Sequence, residues 1–280
     1  MEITNLVTSP FGIGEKLILE LLERGETVHT VFPNPKDVPM SLLGKAHLKY
    51  GFVKLDQETN IEKGLPRKAD NIFHIYDLYS GPIPKMMMAN TMVTVQLLDW
   101  AKRVGALRFV YLSTGEVYGM GKNIAESTPY NPRSFYATTK FQSEIIFRYY
   151  SRILNIKSIR VFFPFGRGVN QGYIHGLIES VKSGNSVETE YCMVSPTFID
   201  DIIEPLIKAR DIENSAGFNL CGSPLSVEEV IKTIETVTGK TARKVSVGKT
   251  ELSGNNSQAR ETLGYKETPL VQAVKATFIG

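Results

Sequence analysis

The chain has 280 residues, 42% of them apolar, and a formal net charge of +3, enough for one large α/β domain or a domain with a smaller lobe. This near-balance of charge, without any dense Lys/Arg run, gives no case for a nucleic-acid or membrane-surface footprint. Two cysteines, Cys192 and Cys221, imply no disulfide framework, and the histidines at 29, 47, 74 and 175 are too scattered for a zinc site. The first residues, Met-Glu-Ile-Thr-Asn-Leu-Val, carry neither a basic region nor a long apolar run. They predict no signal peptide or membrane anchor, and so a cytoplasmic protein.

Taken in order, Ile3–Thr8 reads as a strand and Gly14–Arg24 as an amphipathic helix that Gly25 stops. Thr27–Phe32 is a second strand, ended by Pro33-Asn-Pro35, and Leu48–Leu55 a third. Asn71–Ile75 is the fourth strand, Asn90–Val104 a helix, and Leu107–Leu112 a fifth strand that delivers Ser113 and Thr114 at its carboxyl end. Active sites of open parallel sheets lie at that edge. A helix over 136–153 leads to a sixth strand, Ile156–Phe162. Strands alternating with helices predict an α/β fold, a Rossmann-type doubly wound parallel sheet. From Pro164 the elements shorten and Gly, Ser and Asn become frequent, although Phe198–Arg210 and Ser226–Gly239 still read as helices, the second with a capped start. The expected organisation is a dinucleotide-binding domain over 1–164 and a smaller substrate lobe over 165–280, some of whose segments return to the sheet.

Within this frame Ser113-Thr-Gly-Glu-Val-Tyr-Gly119 and Tyr136-Ala-Thr-Thr-Lys140 carry the chemistry. Thr114, Tyr136 and Lys140 offer the hydroxyl, phenol and ammonium needed to move a proton while a nicotinamide moves a hydride. A Tyr and a Lys four apart share one helix face, where the ammonium favours the phenolate. The spacing alone means little, because Tyr50–Lys54 and Tyr118–Lys122 repeat it. The first of these sits in a strand-like alternation and the second is interrupted by Gly119 and Gly121, which reads as a loop. Only Tyr136–Lys140 continues into a helical run.

The stretch from Asn90 to Thr114, the approach Thr128-Pro-Tyr-Asn-Pro-Arg-Ser-Phe-Tyr136, Asn219–Ser226 and Ser257–Tyr265 resemble, in this order, the extended short-chain dehydrogenase/reductase family, specifically its nucleotide-sugar epimerase/dehydratase branch. The resemblance implies that Thr114 polarises the substrate oxygen, that Tyr136 exchanges its proton, and that Lys140 tunes Tyr136 and holds the nicotinamide ribose. It further implies an NAD or NADP cofactor, a small-molecule substrate and a homodimer formed through helices 90–104 and 136–153. Glu116 stands where the family's dehydratases and decarboxylases keep a Glu beside the reacting carbon. The Asp that usually precedes it in dehydratases is Gly115 here, so standard 4,6-dehydration loses its acid.

Measured against that family, the dinucleotide cradle is altered. The first turn, Thr8-Ser-Pro-Phe11-Gly12-Ile13-Gly14, keeps two glycines but is one residue short, and Pro10 removes a donor. Phe32 replaces the ribose-reading acid, and no Arg stands there for a 2′-phosphate. Tyr76-Asp77 replaces a pair of small residues and is expected to crowd the adenosine side, whereas Asp56 matches the adenine-contacting position. Phe163 stands where Asn is common and Val194 where an Arg clamps a diphosphate, which argues against a nucleotide diphosphate substrate. Three readings follow: an NAD(P)-dependent oxidoreductase or epimerase of a sugar-like or other small hydroxyl/carbonyl compound; a decarboxylase or dehydratase-like lyase using Glu116; and a degenerate, non-catalytic binding protein.

Overall fold

The computed structural model describes residues 3–58 and 60–278. Its first elements are β1 (Thr4–Val7), α1 (Ile13–Glu23), β2 (Thr27–Phe32), β3 (Leu48–Phe52), β4 (Asn71–His74), α2 (Ile83–Met87), α3 (Val93–Val104) and β5 (Arg108–Thr114). These lead to β6 (Gly121–Ile124), α4 (Phe135–Phe147), β7 (Asn155–Val161), β8 (Pro164–Phe165), α5 (Tyr173–Lys182), β9 (Val187–Val194), β10 (Thr197–Phe198), α6 (Asp200–Asp211) and β11 (Ala216–Leu220). The chain closes with β12 (Leu225–Ser226), α7 (Val227–Thr238), β13 (Val245–Gly254), α8 (Ser257–Leu263) and α9 (Leu270–Phe278).

A seven-stranded sheet runs in the order β11-β7-β5-β4-β1-β2-β3. Pairing is parallel between β4 and β5, β1 and β4, β1 and β2, and β2 and β3. The order turns back at β1, as in a doubly wound α/β fold. Inner strands of such a sheet are covered on both faces and read as continuous apolar runs. All of β4 is buried accordingly, while the edge strand β3 leaves Tyr50 and Phe52 exposed. At the amino ends of the strands a polar network ties Asn5, Asn71, Glu26 and the guanidinium of Arg210 together.

Two compact units divide the described residues. One comprises those of Met1–Ser113, Ser134–Ile159 and Leu206–Gly217, the other those of Thr114–Arg133, Arg160–Pro205 and Phe218–Gly280. In the first, Leu97, Leu98, Trp100 and Ala101 of α3 enter a core with Leu6, Ile72, Phe109 and Tyr111, and Trp100 is only 3% exposed. In the second, β12-β9-β13-β6 form a four-stranded sheet, and α7 packs against α5 and α9. Its start is set by a capping box between Ser226 and Glu229.

Several elements differ from the sequence pattern. Gly121–Ile124 is strand β6 and not a loop, because β13 supplies its pairing partner from far along the chain. Strand β5 runs on through Thr114, β3 stops at Phe52, and α4 gives way after Phe147 to bonds three residues apart, such as Tyr150 N–H to Phe147 C=O. The helix expected from Asn90 begins at Ile83 and passes through a π-helical turn, Met88–Met92. After Pro164 not every element is short: β13 spans ten residues.

Candidate active site

Strand β1 ends in a turn that hands the chain to α1. Gly12 caps the helix at φ 54° and ψ −115°, a backbone state open in practice only to glycine. A Cβ on Gly14 would lie 1.8 Å from the Ser9 carbonyl oxygen, so the turn closes only without one. Gly14 N–H donates to Phe11 C=O, and Ile13 is the first helical residue. The missing residue and Pro10 therefore do not abolish a helix N-terminus suited to an anion.

Thr8 is fully engaged inside the fold. Its hydroxyl oxygen accepts from the N–H groups of Ile75 and Tyr76 and sits 3.0 Å from Nδ1 of His74. With both lone pairs used, the hydroxyl donates to Nδ1. The other ring nitrogen then carries the proton and donates to Thr94 Oγ1 at 2.9 Å, which donates in turn to Asn90 C=O. Burial, and then the charge of Lys140, hold His74 well below its usual range, which agrees with this neutral tautomer.

At the end of β2, Phe32 is buried beneath Phe11, Tyr50 and Phe52, with ring centroids 6.2, 5.7 and 6.5 Å away. These three outer rings are exposed, so an aromatic face stands where a ribose-reading carboxylate was sought. Asp56 is half-buried and faces Lys85 Nζ at 3.5 Å.

Helix α4 is capped by Ser134, whose side chain accepts from Ala137 N–H, and this places Tyr136 in the first turn and Lys140 one turn on. Here the arrangement departs from a simple Tyr–Lys pair. The Tyr136 hydroxyl donates to Oδ2 of Asp77 at 2.6 Å, and the same oxygen lies 3.2 Å from Lys140 Nζ. Asp77 was expected to crowd the adenosine side; instead it joins the phenol and the ammonium. Its loop is held from both flanks: Tyr76 N–H donates to the Thr8 hydroxyl on one side, and on the other Leu78 N–H donates to the Asn90 side chain and Leu78 C=O accepts from it. Asn90 is 1% exposed and reaches Thr139 as well. Tyr76 packs against the apolar core, and burial pushes its phenol up, with Asp56 and Asp77 adding to the shift. Tyr79 lays its ring 4.8 Å from that of Tyr136.

Lys140 is fully buried, with Nζ 4.3 Å from the centre of the Tyr111 ring. Burial pushes the ammonium down, but Tyr111 and Asp77 outweigh it, and the net direction is upward. The group stays charged. Among the described residues Nζ has an ion-pair partner in Asp77 but no hydrogen bond of good geometry. An orphaned buried donor of this kind fits a cofactor's ribose hydroxyl, and so does the helix N-terminus its phosphates.

Thr114, Gly115 and Glu116 belong to the second unit. The Thr114 oxygen accepts from Glu116 N–H at 3.2 Å and starts a one-turn 3₁₀ segment, Gly115–Tyr118, with Glu116 half-buried. A Cβ on Gly115 would lie 2.5 Å from Cγ of Phe162. Phe163, whose φ of 42° is unusual for a non-glycine, packs with Tyr173 and Tyr191 at 5.3 and 5.4 Å. Val194 is fully buried. Sequence reasoning missed the roles of Asp77, Asn90 and Tyr79; the one available signal was the bulk of Tyr76-Asp77 in a place where small residues were looked for.

Among the described residues no group of three or more His, Cys, Asp or Glu is arranged to hold a metal, and no helix is long and apolar enough to cross a membrane. Residues 12–196 match the model of the NAD dependent epimerase/dehydratase family. An uncharacterized protein of Methanocaldococcus jannaschii is 26% identical over 256 residues, covering 79% of this chain and 76% of the relative. The fold is similar to that of UDP-glucuronic acid 4-epimerase from Bacillus cereus in complex with NAD, at TM-score 0.85, 23% identity and coverage of 98% and 95%. It is similar also to MoeE5 in complex with UDP-glucose and NAD, at TM-score 0.82, 23% identity and coverage of 98% and 97%. A third similar structure is UDP-glucose 4-epimerase from Thermotoga maritima with UDP-glucose, at TM-score 0.83, 19% identity and coverage of 98% and 97%.

Proposed function

The chain belongs to the NAD dependent epimerase/dehydratase family, and from that premise we propose that it is an NAD-dependent oxidoreductase or epimerase of the extended short-chain dehydrogenase type, acting at a hydroxyl or carbonyl carbon of a sugar-like or other small substrate. The observation that carries the reading is the buried, charged Lys140 beside the phenol of Tyr136 on one face of α4. When bound, the nicotinamide accepts and returns a hydride. Lys140 holds the nicotinamide ribose with the donors that Asp77 leaves free. Tyr136 exchanges its phenolic proton with the substrate oxygen. By its likeness to the family, Thr114 is the hydroxyl assigned to polarising a substrate oxygen, and its own oxygen accepts from Glu116 N–H. The turn at Gly12–Gly14 and the start of α1 receive the pyrophosphate, and the Phe11, Tyr50 and Phe52 rings offer apolar stacking to the adenosine end.

The structural neighbours carry UDP-sugars. In this chain Val194 is buried and Phe163 packs with two tyrosines, which favours a sugar-like substrate without a diphosphate. Gly115 removes the acid of 4,6-dehydration.

Calorimetric titration with NAD(H) and NADP(H) tests the reading directly. Micromolar binding of NAD or NADH is expected, and no binding of either dinucleotide overturns it. Tyr136→Phe is expected to keep its circular dichroism and lose roughly 10²- to 10⁴-fold in turnover. Unchanged turnover would remove Tyr136 from the chemistry.

A further inference from the structure

One carboxylate oxygen, Oδ2 of Asp77, serves both the hydroxyl of Tyr136 at 2.6 Å and the ammonium of Lys140 at 3.2 Å. A Tyr–Lys pair alone is neutral when the phenol has lost its proton, because phenolate and ammonium then cancel. The third group reverses the count. With Asp77 ionised and Lys140 charged, the cluster is neutral only while Tyr136 keeps its proton, and losing it would leave a net negative charge around an ammonium with 1% of its side chain exposed. The hydrogen bond acts in the same direction, since a carboxylate accepts from the phenol and repels the phenolate.

We propose that Asp77 is a positioning residue that holds Tyr136 protonated at rest, so that the phenol is set to give a proton to a substrate carbonyl oxygen and not to take one from an alcohol. The proposal rests on the proton-transfer role given to Tyr136 above. The placement of Asp77 is built into the fold: Ile75 and Tyr76 N–H groups are held by Thr8, Leu78 is held by the buried amide of Asn90, and Tyr79 packs on the Tyr136 ring.

The surrounding titratable groups do not undo the count. Tyr111 of β5, under Lys140, is kept protonated by burial, and so is Tyr76. His74 at the end of β4 is neutral with both ring nitrogens engaged. Asp56 acts on Tyr76 and is paired with Lys85.

The deciding readout needs no turnover. The ultraviolet difference between the wild type and Tyr136→Phe isolates the phenolate absorption of Tyr136 during a pH titration. In the wild type that absorption is expected to appear no lower than for a free phenol, near pH ~10. In Asp77→Asn it is expected about one to three pH units lower, with the ascending limb of kcat/KM for alcohol oxidation moving down in step. A wild-type midpoint near neutrality overturns the proposal even if Asp77→Asn fails to fold, and so does an unshifted midpoint in a folded Asp77→Asn. The dinucleotide titration and the turnover of Tyr136→Phe judge the enzymatic reading separately, so each can fail without the other.

Discussion

At Gly115 a side chain is excluded by a ring and not by the backbone. Phe162 is 1% exposed, its ring faces Gly115 on one side and approaches Gly254 on another, and Tyr118 stacks on it. Asp at position 115 would have to displace this ring or leave its carboxylate against it. Gly115→Asp is therefore expected to lose about 1–3 kcal/mol in urea unfolding, with no dehydration activity gained and part of the stability restored by adding Phe162→Leu. A Gly115→Asp protein as stable as the wild type would show that the ring yields freely. The sequence shows that the acid is missing. It does not show that the space for it is filled, because Phe162 is distant along the chain.

Among the elements, the π-helical turn Met88–Met92 organises the most. Its widened ladder leaves the carbonyl of Asn90 to accept from the hydroxyls of both Thr94 and Ser143, while the Asn90 side chain bonds Leu78 and Thr139. One residue thus ties α3, α4 and the Asp77 loop. Asn90→Ala removes three hydrogen bonds and leaves buried partners unsatisfied, an expected loss of about 3 kcal/mol in thermal or urea unfolding. It should also raise amide exchange at residues 76–79; unchanged exchange there would mean that the loop is held by Thr8 alone. The turn Met88-Ala-Asn-Thr-Met92 contains no Pro or Gly to mark a change of helix geometry, so a reading by helical period passes over it. Strand β6 was missed for a related reason. Its partner β13 is remote, and the local Gly-Lys-Asn composition carries no strand signal.

Over the whole molecule, two histidines that fold neutral contribute to acid sensitivity. Burial lowers His74, with Lys140 adding to it, and burial lowers His29 against its bond to Gly64 C=O. In the unfolded chain both take up a proton near pH ~6.5, while in the folded chain they resist it. Their contribution is complete above that pH and declines as the pH falls towards their folded values, at about 1.4 kcal/mol per pH unit for each histidine so affected. Urea midpoints measured from pH 7.5 to pH 5 should fall, and His74→Asn should reduce the slope; a flat profile would contradict the buried neutral tautomer. The sheet was legible because β1, β2, β4 and β5 are short, largely buried segments that carry apolar side chains, each set off by helical or turn sequence. Tyr136–Lys140 was legible because only that pair continues into a helix. Asp77 was visible as a residue of the wrong size, but its bonds to α4 depend on how β4 and α4 meet in space, which no local pattern encodes. The buried position of Trp100 in α3 has one more consequence. It is the chain's sole tryptophan, and it lies in the core of the first unit. Its fluorescence therefore follows the unfolding of the first unit without a tryptophan signal from the second. Comparing that emission with far-ultraviolet dichroism would show whether the two units melt together.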